Sequence, residues 1–395
     1  MNERDVVVIG MARTAIGTFG GSLKDIPLTQ LGTVALQAAL HRSGVERAEV
    51  GHVVMGNVVP TEPRDAYLSR ITAIDSGIPK EVPAFNVNRL CGSGLQAIVS
   101  AAQAIKLGDA DITIGGGAES MSRGPYLVPA LRWGARMHDS SLVDYMNGIL
   151  HDPWKQIHMG ITAENVARRY GISREDQDEL ALESQRRAAR AIAAGYFTAQ
   201  IVPVEIKTKK EPVLFDTDEH VRTDVTLDGL AKMKPVFQRE NGTVTAGNAS
   251  GLNDGAAAVV LADATRAVAL GLKPLARLVG YAHAGVEPEY MGIGPVPAVR
   301  LVLKRCGLTT GDLDVIESNE AFAAQACAVS RELDFDPAKV NPNGSGISLG
   351  HPVGATGAII VTKAIYELHR TGGRYALATM CIGGGQGIAA IFERI

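Results

Sequence analysis

The sequence predicts a layered α/β fold made of two similar halves with a segment of different character inserted between them. Short β-branched runs alternate with longer helical periodicities at both ends of the chain. One ordered set of elements occurs twice. Between the two copies, from about 121 to 251, that alternation stops.

In the first half, Val6 to Ile9 reads as a strand and Leu28 to Arg42 as a helix with apolar residues three and four apart. His52 to Met55 is a second strand. Ser93 to Leu107 is an apolar, buried helix, and Asp111 to Ile114 a strand ending in Gly115-Gly116-Gly117. In the second half, Pro297 to Arg305 is helical and ends at Cys306-Gly307-Leu308; Asp312, Leu313 and the strand Val315-Ile316 follow. The first half has Ser43-Gly44-Val45, then Glu49, Val50 and the strand from His52. Aligned on Gly44 and Gly307, the two series coincide in order and spacing, and both strands end near an asparagine, Asn57 or Asn319. Ile112 to Ile114 before Gly115, and Tyr375 to Met380 before Cys381-Ile382-Gly383-Gly384-Gly385, look like a second recurrence. The reading is a diverged duplication; chance recurrence of a common helix–Gly–strand unit is the alternative.

The inserted segment holds Pro, Arg, Trp and Met without period over Met121 to Met146. A pair of charged, Ala-rich helices follows over Ala163 to Ala194, with Ser173 and Asp176 spaced as a capping box. Lys207 to Pro212 is a solvated turn.

The 395 residues suit two or three domains and a large core. A formal net charge of -3 gives no global attraction to nucleic acid or an anionic membrane. The charged start Met1-Asn2-Glu3-Arg4-Asp5 leads into an apolar run too short for a signal-peptide core, and no run is long enough to span a bilayer. A cytoplasmic protein is expected. The four cysteines Cys91, Cys306, Cys327 and Cys381 form neither a disulfide framework nor a CxxC pair. Each is either a small apolar filler or chemistry.

Cys91, in Asn88-Arg89-Leu90-Cys91-Gly92-Ser93-Gly94, stands before the apolar helix, where backbone N–H groups and the dipole favour a thiolate. A buried structural cysteine is the bland alternative. His351, in Gly350-His351-Pro352 after the glycine-rich run Asn343 to Leu349, suits a general base or oxyanion donor; a satisfied loop histidine is the alternative. Cys381 enters a second glycine turn whose N–H groups could bind an oxyanion. Asn319-Glu320-Ala321-Phe322-Ala323 ends a strand and opens a helix; its amide could orient a water, while Glu320 reads equally as a carboxylate meeting a helix dipole. Gly344-Ser345-Gly346 is not a dinucleotide fingerprint, and no Walker A sequence occurs.

These four motifs, in this order, resemble those of thiolases over essentially the whole chain, most closely bacterial β-ketothiolases of the biosynthetic type. The resemblance implies a five-layered αβαβα fold of two similar α/β halves, 1–120 plus 252–273 and 274–395. An inserted α+β loop domain, 121–251, would bind coenzyme A and mediate tetramerisation. It implies a reversible Claisen condensation of acetyl-CoA with a short acyl-CoA, and thiolysis of 3-ketoacyl-CoA, through a Cys91 acyl-enzyme. His351 would activate Cys91, and Cys381 would act as acid and base on the second acyl-CoA. Asn319 would hold a water beside the enolate oxygen. The N–H groups of Cys91 and Gly383 would stabilise the tetrahedral intermediate. Family coenzyme A contacts fall on His158, Met159, Arg222, Ala246, Ser250 and Phe322, with Met291 near the acyl pocket; a solvated face is the alternative for Arg222. The Arg132–Arg136 region resembles the tetramer loop. Coenzyme A is substrate, and no cofactor or metal is expected.

One departure stands out. Many biosynthetic relatives read Gly-Gly-Ala-Ile-Ala-Leu where this chain has Gly344-Ser345-Gly346-Ile347-Ser348-Leu349. The expectation is an altered acyl pocket that accepts propionyl or longer groups as well as acetyl. Ketoacyl synthases of the same fold are an alternative, disfavoured by Cys381. A non-catalytic acyl-CoA-binding protein is another, disfavoured because no catalytic residue is missing.

Overall fold

The structure is a computed structural model that describes residues 4–395; the first three residues of the charged start lie outside them. Strands β1 (Val6–Arg13), β2 (Gly17–Thr18), β3 (His52–Gly56), β4 (Ala84–Val87) and β5 (Ile112–Ser120) come first, with helices α1 (Leu28–Ser43), α2 (Leu68–Asp75) and α3 (Ser93–Leu107) between them. The inserted segment carries β6 (Tyr126–Leu127), β7 (Val143–Asp144), β8 (Val204–Ile206) and β9 (Val213–Phe215), and helices α4 (Tyr145–Gly148), α5 (Met159–Tyr170), α6 (Arg174–Ala193) and α7 (Leu227–Ala231). Then follow β10 (Asn253–Asp263), α8 (Ala264–Ala269), β11 (Ala276–Gly285), α9 (Pro295–Cys306), β12 (Val315–Ser318), α10 (Ala323–Glu332), α11 (Gly346–Leu349), α12 (Thr356–Thr371), β13 (Tyr375–Ile382) and β14 (Gln386–Arg394).

The duplication is explicit in the topology. One half orders its strands β1-β10-β5-β3, the other β11-β14-β13-β12, with the same parallel and antiparallel senses. Pairing of β1 with β11 joins them into one ten-stranded sheet that also includes β2 and β4. The strands of the inserted segment stay outside it.

Five layers follow from burial. Leu31, Leu36 and Leu40 of α1 pack on Val7, Ile9 and Val53. The opposite face, with Val8 and Val259, meets Ile98 and Ile105 of α3 and Ile359 and Ile365 of α12; Met380 and Phe392 of the second half close that layer from the other side. Val299 and Val302 of α9 and Val329 of α10 cover Ile316, Leu377 and Ile391. Strands covered on both faces explain why Val6 to Ile9 is continuously apolar. A bulge between Val8 and Gly10 shifts the alternation, so Met11 faces the centre with Val6 and Val8.

The central helices touch backbone to backbone. A Cβ on Gly357 of α12 would stand 2.2 Å from the Leu95 nitrogen, and one on Gly94 of α3 would stand 2.8 Å from the Ala358 nitrogen. Only glycine at both sites lets the two helices start side by side.

Several local expectations hold. Ser173 and Asp176 cap α6 reciprocally, at 3.0 Å and 2.9 Å. Lys207 to Pro212 turns between β8 and β9. Cys306 is packing: a Cβ on Gly280 would meet its sulfur, as one on Gly10 would meet Ser43 at the matching place in the first half. Cys327 sits half-buried on α10.

The glycine-run recurrence does not hold. Gly115-Gly116-Gly117 does not end the strand; β5 continues to Ser120. These glycines lie against Ile98, Ala257 and Gly354, where no side chain fits, whereas Gly383 to Gly385 form the β13–β14 turn. Close packing in one half and turn geometry in the other produced similar-looking runs.

Replacing Gly357 with Ala is expected to lower Tm by roughly 5 °C or more through overpacking. Gly311→Ala, whose new Cβ would have only Thr309 Oγ1 nearby at 3.6 Å, is expected to leave Tm nearly unchanged. Differential scanning calorimetry compares the two.

Candidate active site

Cys91 precedes the Gly92 cap of α3, on a turn that holds Leu90 at φ 46°, a left-handed conformation rare for leucine. Neighbouring side chains fix the strained residue. The Arg89 N–H donates to Ser93 Oγ at 2.8 Å, that hydroxyl donates to the Leu90 carbonyl at 2.7 Å, and the Leu90 N–H donates to Asn88 Oδ1 at 2.9 Å. The motif around Cys91 is therefore a scaffold that presents the thiol.

His351 arrives from the other half just before α12. The Thr356 hydroxyl donates to the Pro352 carbonyl at 2.9 Å and lies 2.7 Å from His351 Nδ1. A hydroxyl has one proton, so Nδ1 must carry the hydrogen, which leaves Nε2 as the acceptor. Asn319 Nδ2 points at Nε2 from 3.4 Å. Asn319 is fully buried and its Oδ1 has no partner, which suits a residue that holds a water or substrate oxygen.

Cys91, His351 and Gly383 line one cavity of about 290 Å³. The backbone N–H groups of Gly383 and of Cys91 itself favour the charged form of the Cys91 sulfur. Cys381 is fully buried at the end of β13, close enough that a charge on it and one on Cys91 would oppose each other. Val58, Leu90, Met121, Leu150 and Val353 form an apolar wall beside Cys91. At the other end stand His158, Met159, Ser250 and Phe322, with Met291 also in the lining. His158 caps α5 by accepting from the Gly160 N–H at 3.0 Å and stacks on Phe237, ring centroids 4.5 Å apart.

Burial sets the resting charges. It pushes the Cys91 thiol up to about 11, against the opposing Gly383 and Cys91 N–H groups, and pushes His351 down to about 4. Cys381 is driven up by burial and by Cys91, and His158 is lowered to about 4 by burial and by His151. Near neutral pH the site therefore holds a neutral thiol and a neutral imidazole. The N–H groups at the helix start favour the thiolate, as the sequence suggests, while desolvation opposes it.

Arg222 and Ala246 are exposed and stand outside the cavity lining, open to a ligand that extends beyond it. One further expectation changes. Ser345 and Ser348 do not line the cavity either. Ser348 Oγ meets Ser184 Oγ at 2.8 Å, and Ser184 donates to Glu320 Oε2 at 2.6 Å, so the departure in this run serves a buried polar network. Glu320 also accepts from Asn341, so it is a network member rather than a simple helix-start carboxylate. Sequence reasoning missed Phe237, the apolar wall and Thr356. Only Thr356, placed at the first turn of the helix after Gly-His-Pro, left a signal that could have been read.

The comparisons agree with this geometry. The chain matches the family descriptions "Thiolase, N-terminal domain" over residues 6–265 and "Thiolase, C-terminal domain" over residues 272–394. It is 68% identical to the beta-ketothiolase BktB of Cupriavidus necator, covering 99% of this chain and 100% of that one. It is 51% identical to an acetyl-CoA acetyltransferase of the same organism, covering 99% of each. Its structure superposes on human mitochondrial 3-ketoacyl-CoA thiolase with a TM-score of 0.97 at 46% identity, covering 99% of each chain. The chain belongs to the thiolase family. Among the described residues, no helix is long and apolar enough to cross a membrane.

Alkylation of Cys91 by iodoacetamide in the ligand-free protein is expected to rise about tenfold per pH unit between pH 6 and 9, because the thiol stays protonated below its raised pKa. Peptide mass analysis at Cys91 reads the rate. A plateau near pH 7 would reveal a thiolate–imidazolium pair instead.

Proposed function

We propose that the protein is a β-ketothiolase, an acyl-CoA acyltransferase working by a ping-pong mechanism through a Cys91 acyl-enzyme. The observation that carries this is the meeting of Cys91, from one half, with His351, from the other, in one cavity that Gly383 also lines. The likeness to named beta-ketothiolases and acetyl-CoA acetyltransferases supports the same reading.

In the thiolysis direction, the Cys91 thiol passes its proton to His351 Nε2 as sulfur attacks the 3-keto carbon. The developing oxyanion needs donors fixed in advance, each worth about 3 kcal/mol. Asn319 and its vicinity, or the Gly383 and Cys91 N–H groups, are the donors within reach. Cleavage of the carbon–carbon bond leaves the acyl group on Cys91 and the enolate of acetyl-CoA, which takes the proton of Cys381. A thiol kept protonated by burial is suited to that acid role. Incoming coenzyme A then gives its proton to the Cys381 thiolate and attacks the acyl-sulfur bond. The released Cys91 thiolate recovers its proton from His351. Cys381 becomes charged only while Cys91 is a neutral thioester, so the two negative sulfurs never coexist. The steps balance without a metal or redox group, and coenzyme A is substrate and product.

The apolar wall of Val58, Leu90, Met121, Leu150 and Val353 supports acyl groups longer than acetyl. His158, Met159, Ser250, Met291 and Phe322 are the coenzyme A side of the cavity. The stretch holding Arg132 and Arg136 leaves Leu131, Trp133 and Met137 exposed, which supports a homotetramer built through it. A cytoplasmic location accords with this set of substrates.

Purified enzyme is expected to cleave both acetoacetyl-CoA and 3-ketovaleryl-CoA in the presence of coenzyme A, with kcat/KM values within about 200-fold of each other, since one methylene in an apolar pocket is worth only about 1–3 kcal/mol. No thiolysis of either would remove the functional reading; none of the longer one would remove the broader pocket. Cys381→Ala is expected to lower thiolysis kcat about 10²- to 10⁴-fold and exchange of labelled coenzyme A into acetyl-CoA by much less, because only thiolysis needs a proton delivered to a carbanion. Equal loss of both activities would contradict the division of roles.

A further inference from the structure

The duplication carries a consequence for a residue outside the cavity. Gly56 of β3 pairs with Gly117 of β5, and Ser318 of β12 pairs with Thr379 of β13. Asn57 and Asn319 follow Gly56 and Ser318. Two residues beyond Gly117 is Glu119, and two residues beyond Thr379 is Cys381. Glu119 thus holds, in the first half, the place that Cys381 holds in the second. By the same alignment of α3 on α12, Gly354 holds the place of Cys91. Each half therefore has a pocket that receives the helix-start loop of the other. In one, Cys381 lies buried beside the cavity that Cys91 lines. The other is closed, and Glu119 closes it.

Glu119 is fully buried and accepts four hydrogen bonds. Asn57 Nδ2 donates to Oε1 at 2.8 Å and the Val59 N–H to Oε1 at 3.0 Å; the Val58 N–H donates to Oε2 at 3.0 Å and the Gly354 N–H to Oε2 at 2.7 Å. The carboxylate so ties the His351 loop to the loop that carries Val58 of the acyl wall. A second grip comes from the neighbouring strand. Asn253, also fully buried, accepts the His351 N–H on Oδ1 at 2.9 Å and donates from Nδ2 to the Gly17 carbonyl at 3.0 Å. Gly350 runs at φ 106° against that carboxamide, where a Cβ would come within 2.5 Å of it. Strand pairing of Gly255 with Glu119 fixes the spacing of the two grips.

We propose that Glu119 and Asn253 are positioning residues of the reaction: the closed mate of the active site clamps both ends of the His351–Gly354 segment, and so sets Nε2 against the Cys91 thiol. The clamp uses a carboxylate because only an acceptor-only group takes four N–H bonds without presenting a donor to one of them. Burial pushes this carboxyl up, but the two N–H donors on each of its oxygens favour the ionised form and leave no acceptor for a carboxyl proton, so the group is a carboxylate kept for geometry at some cost. The proposal rests on His351 being the base.

The test uses the full-length enzyme and acetoacetyl-CoA thiolysis. Glu119→Gln and Asn253→Ala are expected to lower kcat about 100-fold while KM stays within about threefold, because a base displaced by about an ångström loses rate and not binding. Asn253→Asp keeps the acceptor for the His351 N–H and is expected to recover at least tenfold of the loss of Asn253→Ala. Folded Glu119→Gln or Asn253→Ala enzyme with kcat within threefold of the parent, or a rise in KM at unchanged kcat, would overturn the proposal. Hydrogen exchange in the unaltered enzyme is the second measurement, independent of whether the variants fold. The amides of His351 and Gly354 should resist exchange as long as those of Val58 and Val59, and exchange within seconds at either would overturn the clamp. An inactive parent enzyme would instead count against the β-ketothiolase reading, so the two failures are distinguishable.

Discussion

The close contact of α3 with α12 is the constraint on which the rest of the molecule depends. Each helix begins a few residues after a chemical group, Cys91 before α3 and His351 before α12. Neither half holds both. The two groups share a cavity because Gly94 and Gly357 allow main chain to lie on main chain at the helix starts. Sheet pairing between β1 and β11 then holds the halves in register. A bulkier residue at the helix contact would separate thiol and base while leaving every strand intact.

That arrangement also explains the electrostatics. Helices meeting at the centre of five layers put the reacting groups where water is scarce, and desolvation keeps thiol and imidazole neutral. Charge is created only when substrate supplies an oxyanion, and then beside N–H groups already in place. The same desolvation holds Cys381 protonated, as an acid waiting for a carbanion. Its counterpart position in the other half, Glu119, uses burial differently: four donors satisfy the carboxylate and no reaction occurs there.

Much of this was legible in the sequence because local rules and global fold agree. The helix over Ser93 to Leu107, the cap at Ser173 and the alignment on Gly44 and Gly307 follow from periodicity and turn chemistry. Cys91, His351 and Cys381 were visible as reactive residue types in glycine frames, and the resemblance to thiolases gave them roles. What was not legible depends on through-space packing. The strand through Gly115 to Gly117 hides behind residues normally read as a turn. The apolar wall and Phe237 come from segments without period. Ser345 and Ser348 looked like part of the acyl pocket because they neighbour His351 in sequence, yet the chain turns them into the network of Ser184 and Glu320. The helix start that favours a Cys91 thiolate is visible in sequence, and the desolvation that opposes it is not.

The central claim is that His351, delivered by one half, takes the proton of Cys91, delivered by the other. Intact-mass and peptide analysis after mixing enzyme with acetyl-CoA tests it most directly. A single acetyl group on Cys91 in the parent enzyme, absent from His351→Asn at the same reaction time, is the predicted result. An acetyl group on Cys381, or equally fast acetylation of Cys91 without His351, would contradict the account.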